Sequence, residues 1–118
     1  MIVCLCGSRR FEDYFHKANR LFTLKGKIVL MPGAYGECTL PEKVDLDYLH
    51  LKKIDMADEI HVLNVGGYIG ESTTNEIVHA LSRGMRITFF DSTSGRKWLH
   101  EHGVMIAERI TARSFDVH

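Results

Sequence analysis

Four short apolar runs of strand length, each closed by a turn residue, alternate along this chain with longer stretches whose apolar positions recur every three or four residues. "MIVCLC" is stopped by Gly7, "KIVLM" by Pro32-Gly33, "EIHVLNV" by Gly66-Gly67, and "RITFF" runs to Asp91. Between the first two, Phe11, Tyr14, Phe15, Ala18, Leu21, Phe22 and Leu24 give one helical face over residues 11–25, ended by Gly26 in the manner of a C-cap glycine. A second helix is expected to start near Pro41 and to carry Val44, Leu46, Leu49, Leu51, Ile54 and Met56; a third, over 73–83, carries Ile77, Ala80 and Leu81 and ends before Gly84. "SGRKWLHEHG" reads as a short helix, while "VMIAERI" fits a fifth strand or another helix equally well.

Strands that alternate with helices at this spacing need right-handed crossovers and a mostly parallel sheet. The expected fold is therefore a three-layer, flavodoxin- or Rossmann-like α/β sheet of four to five strands with helices on both faces. It forms a single domain over residues 1–118, because no repeat, low-complexity stretch or linker divides the chain. In such sheets ligands bind beyond the carboxyl ends of the strands. Three loops, 7–10, 32–38 and 64–76, should share that rim.

Composition narrows the function. Fifteen Lys and Arg balance fifteen Asp and Glu, so the basic excess of a sequence-independent nucleic-acid binder is missing. No apolar run approaches the ~20 residues of a membrane span, and the start is apolar first and basic second, the reverse of an export signal. A cytoplasmic protein is expected. Cys4 and Cys6 lie in an apolar run and read as reduced core thiols; the seven histidines form no H-x-x-x-H pair, so neither a metal nor a cofactor is expected.

Two of the rim loops carry candidate chemistry. In "CGSRRF", Gly7 permits close backbone approach, Ser8 offers a hydroxyl, and Arg9 and Arg10 present forks suited to phosphate or carboxylate. In "NVGGYIGESTTNE", Asn64 precedes Gly66, Gly67 and Gly70, which can wrap a ligand, and Ser72, Thr73 and Glu76 follow. Glu76 has two readings. It can close a capping box on Thr73, or it can face the rim as a carboxylate that the helix dipole keeps ionised, suited to attack on an anomeric carbon. Glu71 is the nearest partner acid, whereas Asp55 and Asp58 precede the third strand and belong to the opposite rim. His61 and His79 read as structural, and Trp98 as a packing anchor or a wall near Asp91.

The Gly-Ser-Arg loop after strand one, the Gly/Ser/Thr loop after strand three, and Glu76 within "NEIVHALSRGMRI" together resemble the nucleoside 2-deoxyribosyltransferase-like superfamily, over roughly residues 1–91. The resemblance implies cleavage or transfer at the N-glycosidic bond of a nucleoside or nucleoside 5′-monophosphate, with Glu76 as nucleophile and a homo-oligomeric assembly. It also implies that Ser8, Arg9 and Ser72 hold the 5′-phosphate, as in the monophosphate N-glycosidases. This chain departs from the family pattern in having Asn64 where many members have an acid, so Glu71 would supply the proton, and Val78-His79 where Gly-Tyr is usual. Gly66-Gly67, Gly70 and Thr73-x-x-Glu76 are also similar to the loop of lysine-decarboxylase-like nucleotide phosphoribohydrolases, apart from three extra residues. A non-catalytic nucleotide-binding module of the same fold is the remaining expectation.

Overall fold

In the computed structural model, which describes residues 1–116 and side chains through residue 113, four strands form one all-parallel sheet. They are β1 (Ile2–Cys6), β2 (Ile28–Leu30), β3 (Glu59–Val62) and β4 (Arg86–Phe89), in the order β2-β1-β3-β4. The register pairs Cys4 with Leu30 on one side and with Ile60 on the other, and Val62 with Phe89. The chain moves outward from β1 to β2, then returns across β1 to lay down β3 and β4. The strand order therefore reverses between β1 and β3, and the crevice between their carboxyl ends is where an α/β sheet binds a ligand.

Five helices complete the layers: α1 (Glu12–Leu24), α2 (Leu40–Asp55), α3 (Glu71–Ser82), α4 (Ser92–Glu101) and α5 (Gly103–Asp116). Alternation along β1 divides the core. Val3 and Leu5 pack with Phe15, Ala18 and Leu63 beneath α1, whereas Cys4 and Cys6 pack with Ile54, Ile60, Val62, Ile77 and Ala80 beneath α2 and α3. The stretch "VMIAERI" lies in α5, which contacts α3 and α4, so no fifth strand forms among the described residues.

The opposite rim is held by charge. Glu59 is buried and pairs with Lys27 at 2.5 Å, Asp58 accepts from the Ile2 amide at 2.7 Å, and Asp55 contacts His79 at 2.6 Å and Arg83 at 3.2 Å. Asp55 and Asp58 thus have the structural roles expected of them. Trp98 packs against the core and stacks on His102, with ring centroids 4.4 Å apart. No helix among the described residues is long and apolar enough to cross a membrane.

Candidate functional site

The switch point holds a cavity of about 570 Å³, within the range of small-molecule sites. Its walls are the Gly7–Arg10 turn after β1, the loop from Pro32 to Glu37 after β2, the start of α3, and one face of α2. Gly7 is there because the turn presses on β3: a side-chain carbon at this position, whose φ is 151°, would lie 3.1 Å from the Leu63 carbonyl oxygen. Ser8 extends the chain into a single 3-10 turn, Arg9–Phe11, and its hydroxyl accepts from the Arg10 amide. The guanidinium of Arg9 is 3.3 Å from the Cys38 thiol, and that of Arg10 sits 3.8 Å over the Tyr68 ring. Arg9, Arg10 and Tyr68 all line the cavity.

Glu76 lies on the cavity wall at 7% exposure. The capping-box expectation does not hold. Helix α3 begins at Glu71 with Gly70 as an N-cap lacking any side-chain bond, so Glu76 is already past the first turn. The capping box of this chain forms instead at α2, between Thr39 and Glu42. The same placement overturns the expected electrostatics. A carboxylate beyond the first turn feels little of the dipole, and burial pushes the Glu76 carboxyl up to about 7, against the pull of the His50 charge and the Cys6 thiol. Its Oε2 atom is buried and has no hydrogen-bond partner among the described residues.

The other expected residues separate into two groups. Gly70, Glu71, Ser72 and Thr73 line the cavity. Glu71 is its exposed edge, with 78% of the side chain accessible and Arg109 at 3.7 Å. Ser72 accepts from Lys43 at 3.0 Å and donates to Asp47 at 3.2 Å, and Thr73 is buried. Asn64, Gly66 and Gly67 are not among the lining residues. Asn64 is fully buried: its amide donates to the Asp91 carbonyl and accepts from the Asp91 amide, both at 2.9 Å, which ties the end of β3 to the end of β4. Gly66 and Gly67 form a 3-10 turn with positive φ at both residues. A side-chain carbon on Gly67 would lie 2.9 Å from the Ser94 hydroxyl, so this loop fits against α4 rather than around the cavity.

Sequence reasoning passed over the face that α2 contributes. Lys43, Asp47 and His50 recur at intervals of four and three, placing them on one side of the helix, and all line the cavity. That polar stripe was the available signal. His50, at 5% exposure, has Nε2 3.7 Å from the Cys4 thiol and 3.8 Å from Glu76 Oε2. The Cys6 hydrogen bond, with help from His50, lowers the Cys4 thiol to about 6 despite burial, while burial pushes Cys6 well up. Burial opposes charge on His50, yet the Cys4 and Glu76 contacts together raise it. His50 and Glu76, which line the cavity, thus belong to a buried thiol–imidazole–carboxyl cluster drawn from β1, α2 and α3.

No protein-family profile matches this chain, and no curated protein matches it.

Proposed function

We propose that the cavity binds a nucleoside 5′-monophosphate and that the protein cleaves its N-glycosidic bond, with Glu76 as the nucleophile. The observation that carries this reading is the meeting of two features on one cavity: the Ser8–Arg9–Arg10 turn, and the buried Glu76 carboxyl, whose Oε2 lies 3.8 Å from His50 Nε2 and has no hydrogen-bond partner among the described residues. The turn supplies a hydroxyl and two guanidinium forks for the phosphate. In its ionised form, Glu76 attacks C1′, the bond to the base breaks, and the bonding electrons leave on the base nitrogen, which takes up a proton. Glu71 at the rim is the acid that supplies that proton, while Asp47 accepts from Lys43 and Ser72 and holds that wall in place. Water then hydrolyses the glycosyl ester and returns Glu76, or a second base accepts the sugar. The apolar residues Leu40, Val44 and Tyr48 lie exposed at four-residue intervals along α2, and this stripe is the surface on which a second copy would associate.

The test is base release from nucleoside and deoxynucleoside monophosphates. Glu76→Gln should slow release by roughly 10³-fold or more while a monophosphate still raises the melting temperature. Arg9→Ala should weaken binding of monophosphates by roughly tenfold, about 1.4 kcal/mol, with a smaller effect on free nucleosides. Equal base release by wild type and Glu76→Gln sinks the nucleophile.

One observation favours a non-catalytic nucleotide-binding module instead. The amide of Asn64 is committed to Asp91 and does not reach the cavity, so position 64 delivers no proton. Under this second reading a monophosphate stabilises the protein and no product accumulates.

A further inference from the structure

We infer that Cys4, Cys6, His50 and Glu76 form a zinc site between the sheet and the α2–α3 layer. The Sγ atoms of Cys4 and Cys6 and a ring nitrogen of His50 all lie within 4.8 Å of one another, and all three residues are buried. The period-two geometry of β1 puts both thiols on one face, with Leu5 between them turned to the α1 side. Helix α2 brings His50 Nε2 to 3.7 Å from Cys4, and α3 brings Glu76 Oε2 to 3.8 Å from the same nitrogen.

Bond lengths to zinc decide how close this is to a loaded geometry. Four ligands at tetrahedral corners, with Zn–S near 2.3 Å and Zn–N or Zn–O near 2.0–2.1 Å, stand about 3.6 Å apart for a sulfur–nitrogen pair and about 3.3 Å for a nitrogen–oxygen pair. The Cys4–His50 separation is already at that value, and the His50–Glu76 separation needs about half an ångström of closure. Two thiolates and an imidazole favour zinc over magnesium or calcium, which take oxygen donors. Glu76 is the independent pointer to an ion: its Oε2 is buried, has no hydrogen-bond partner among the described residues, and is the oxygen nearest the His50 nitrogen. Binding through Nε2 leaves the ring proton of His50 on Nδ1, which is buried and has no hydrogen-bond partner among the described residues. The open side of the cluster is the cavity that His50 and Glu76 line, which gives the ion a route in.

The site does not depend on the glycosidic reading, but it limits it. A Glu76 oxygen held by zinc cannot attack a sugar, so metal occupancy and cleavage through Glu76 exclude each other.

The test is anaerobic titration of the reduced, full-length protein with Co²⁺, without nucleotide. One equivalent should produce thiolate-to-cobalt charge-transfer absorption and the intense visible bands of a tetrahedral ion, and zinc should displace it. Cys4→Ala, Cys6→Ala and His50→Gln should each weaken binding by at least about 100-fold, with circular dichroism confirming that each variant is folded. Glu76→Gln should keep the charge-transfer band and shift the visible bands, because one oxygen donor is altered. The site is wrong if wild type gives no stoichiometric spectrum, or if a folded Cys4→Ala/Cys6→Ala variant gives the same one. An unchanged visible spectrum in Glu76→Gln overturns the fourth ligand. No base release is read in this experiment, so its failure and that of the proposed cleavage are separate results.

Discussion

Asn64 shows how one side chain can hold a rim together without facing it. Its amide both donates to and accepts from the backbone of Asp91, which an ionised carboxylate, an acceptor only, cannot do. Aspartate at this fully buried position would set a carboxylate against the Asp91 carbonyl oxygen. Asn64→Asp should therefore destabilise the fold by roughly 2–4 kcal/mol, read as a lower urea midpoint with an unchanged slope. Unchanged stability would mean that the bridge contributes nothing. Glu76 carries the matching lesson about position in a helix. Its residue type and its place in a Thr-x-x-Glu pattern suggested a cap or a dipole-stabilised anion, yet the helix starts two residues before Thr73 and buries it. Where a helix begins depends on which backbone amides find partners, and here Gly70 in extended backbone ends the preceding loop.

At the scale of elements, α4 is seated by an absence. Gly95 is buried in α4, and a side-chain carbon there would lie 2.2 Å from the Phe89 ring of β4. Alanine is the better helix former by about 1 kcal/mol, so propensity and packing point in opposite directions. Packing should win, because the atom met first is Phe89 Cγ, one bond from a Cβ whose place is set by β4. Gly95→Ala is expected to lower stability by roughly 1–3 kcal/mol. A variant more stable than wild type would show that α4 can shift outward freely. Helix α2 illustrates what periodicity reveals and what it hides. Its apolar positions located the helix correctly, and they drew attention away from Lys43, Asp47 and His50, the polar residues that build a wall of the cavity.

At the scale of the whole molecule, pH should act through the sheet. His61 on β3 is covered by the Phe22 ring of α1, with centroids 4.9 Å apart, and its Nδ1 is 2.8 Å from the Thr88 hydroxyl on β4. Burial, with a smaller contribution from Lys27, lowers it from 6.5 to about 4 against the pull of Glu59. The folded state thus resists protonation that the unfolded chain accepts. Stability from this residue is full above pH 6.5 and is lost as pH falls from there toward 4, by up to about 3 kcal/mol. Chemical unfolding measured across that window should show the loss, and His61→Val should flatten it. An identical acid slope in both proteins would place the effect elsewhere.

By itself the sequence determined the number and order of strands and helices through residue 91 and the parallel sheet; it also set loops 7–10, 32–38 and 64–76 on one rim, although Asn64, Gly66 and Gly67 do not line the cavity there. These follow from local periodicity and from chirality rules that every βαβ unit obeys. Only the tertiary structure decided that "VMIAERI" is helical, that Asn64 joins β3 to β4, and that Cys4, Cys6, His50 and Glu76 share one buried cluster. Helices and strands record their own faces in sequence, but the distance between Cys4 and His50, forty-six positions apart, is set by how α2 packs across β1. That packing is a property of the assembled core, and no window of the chain contains it.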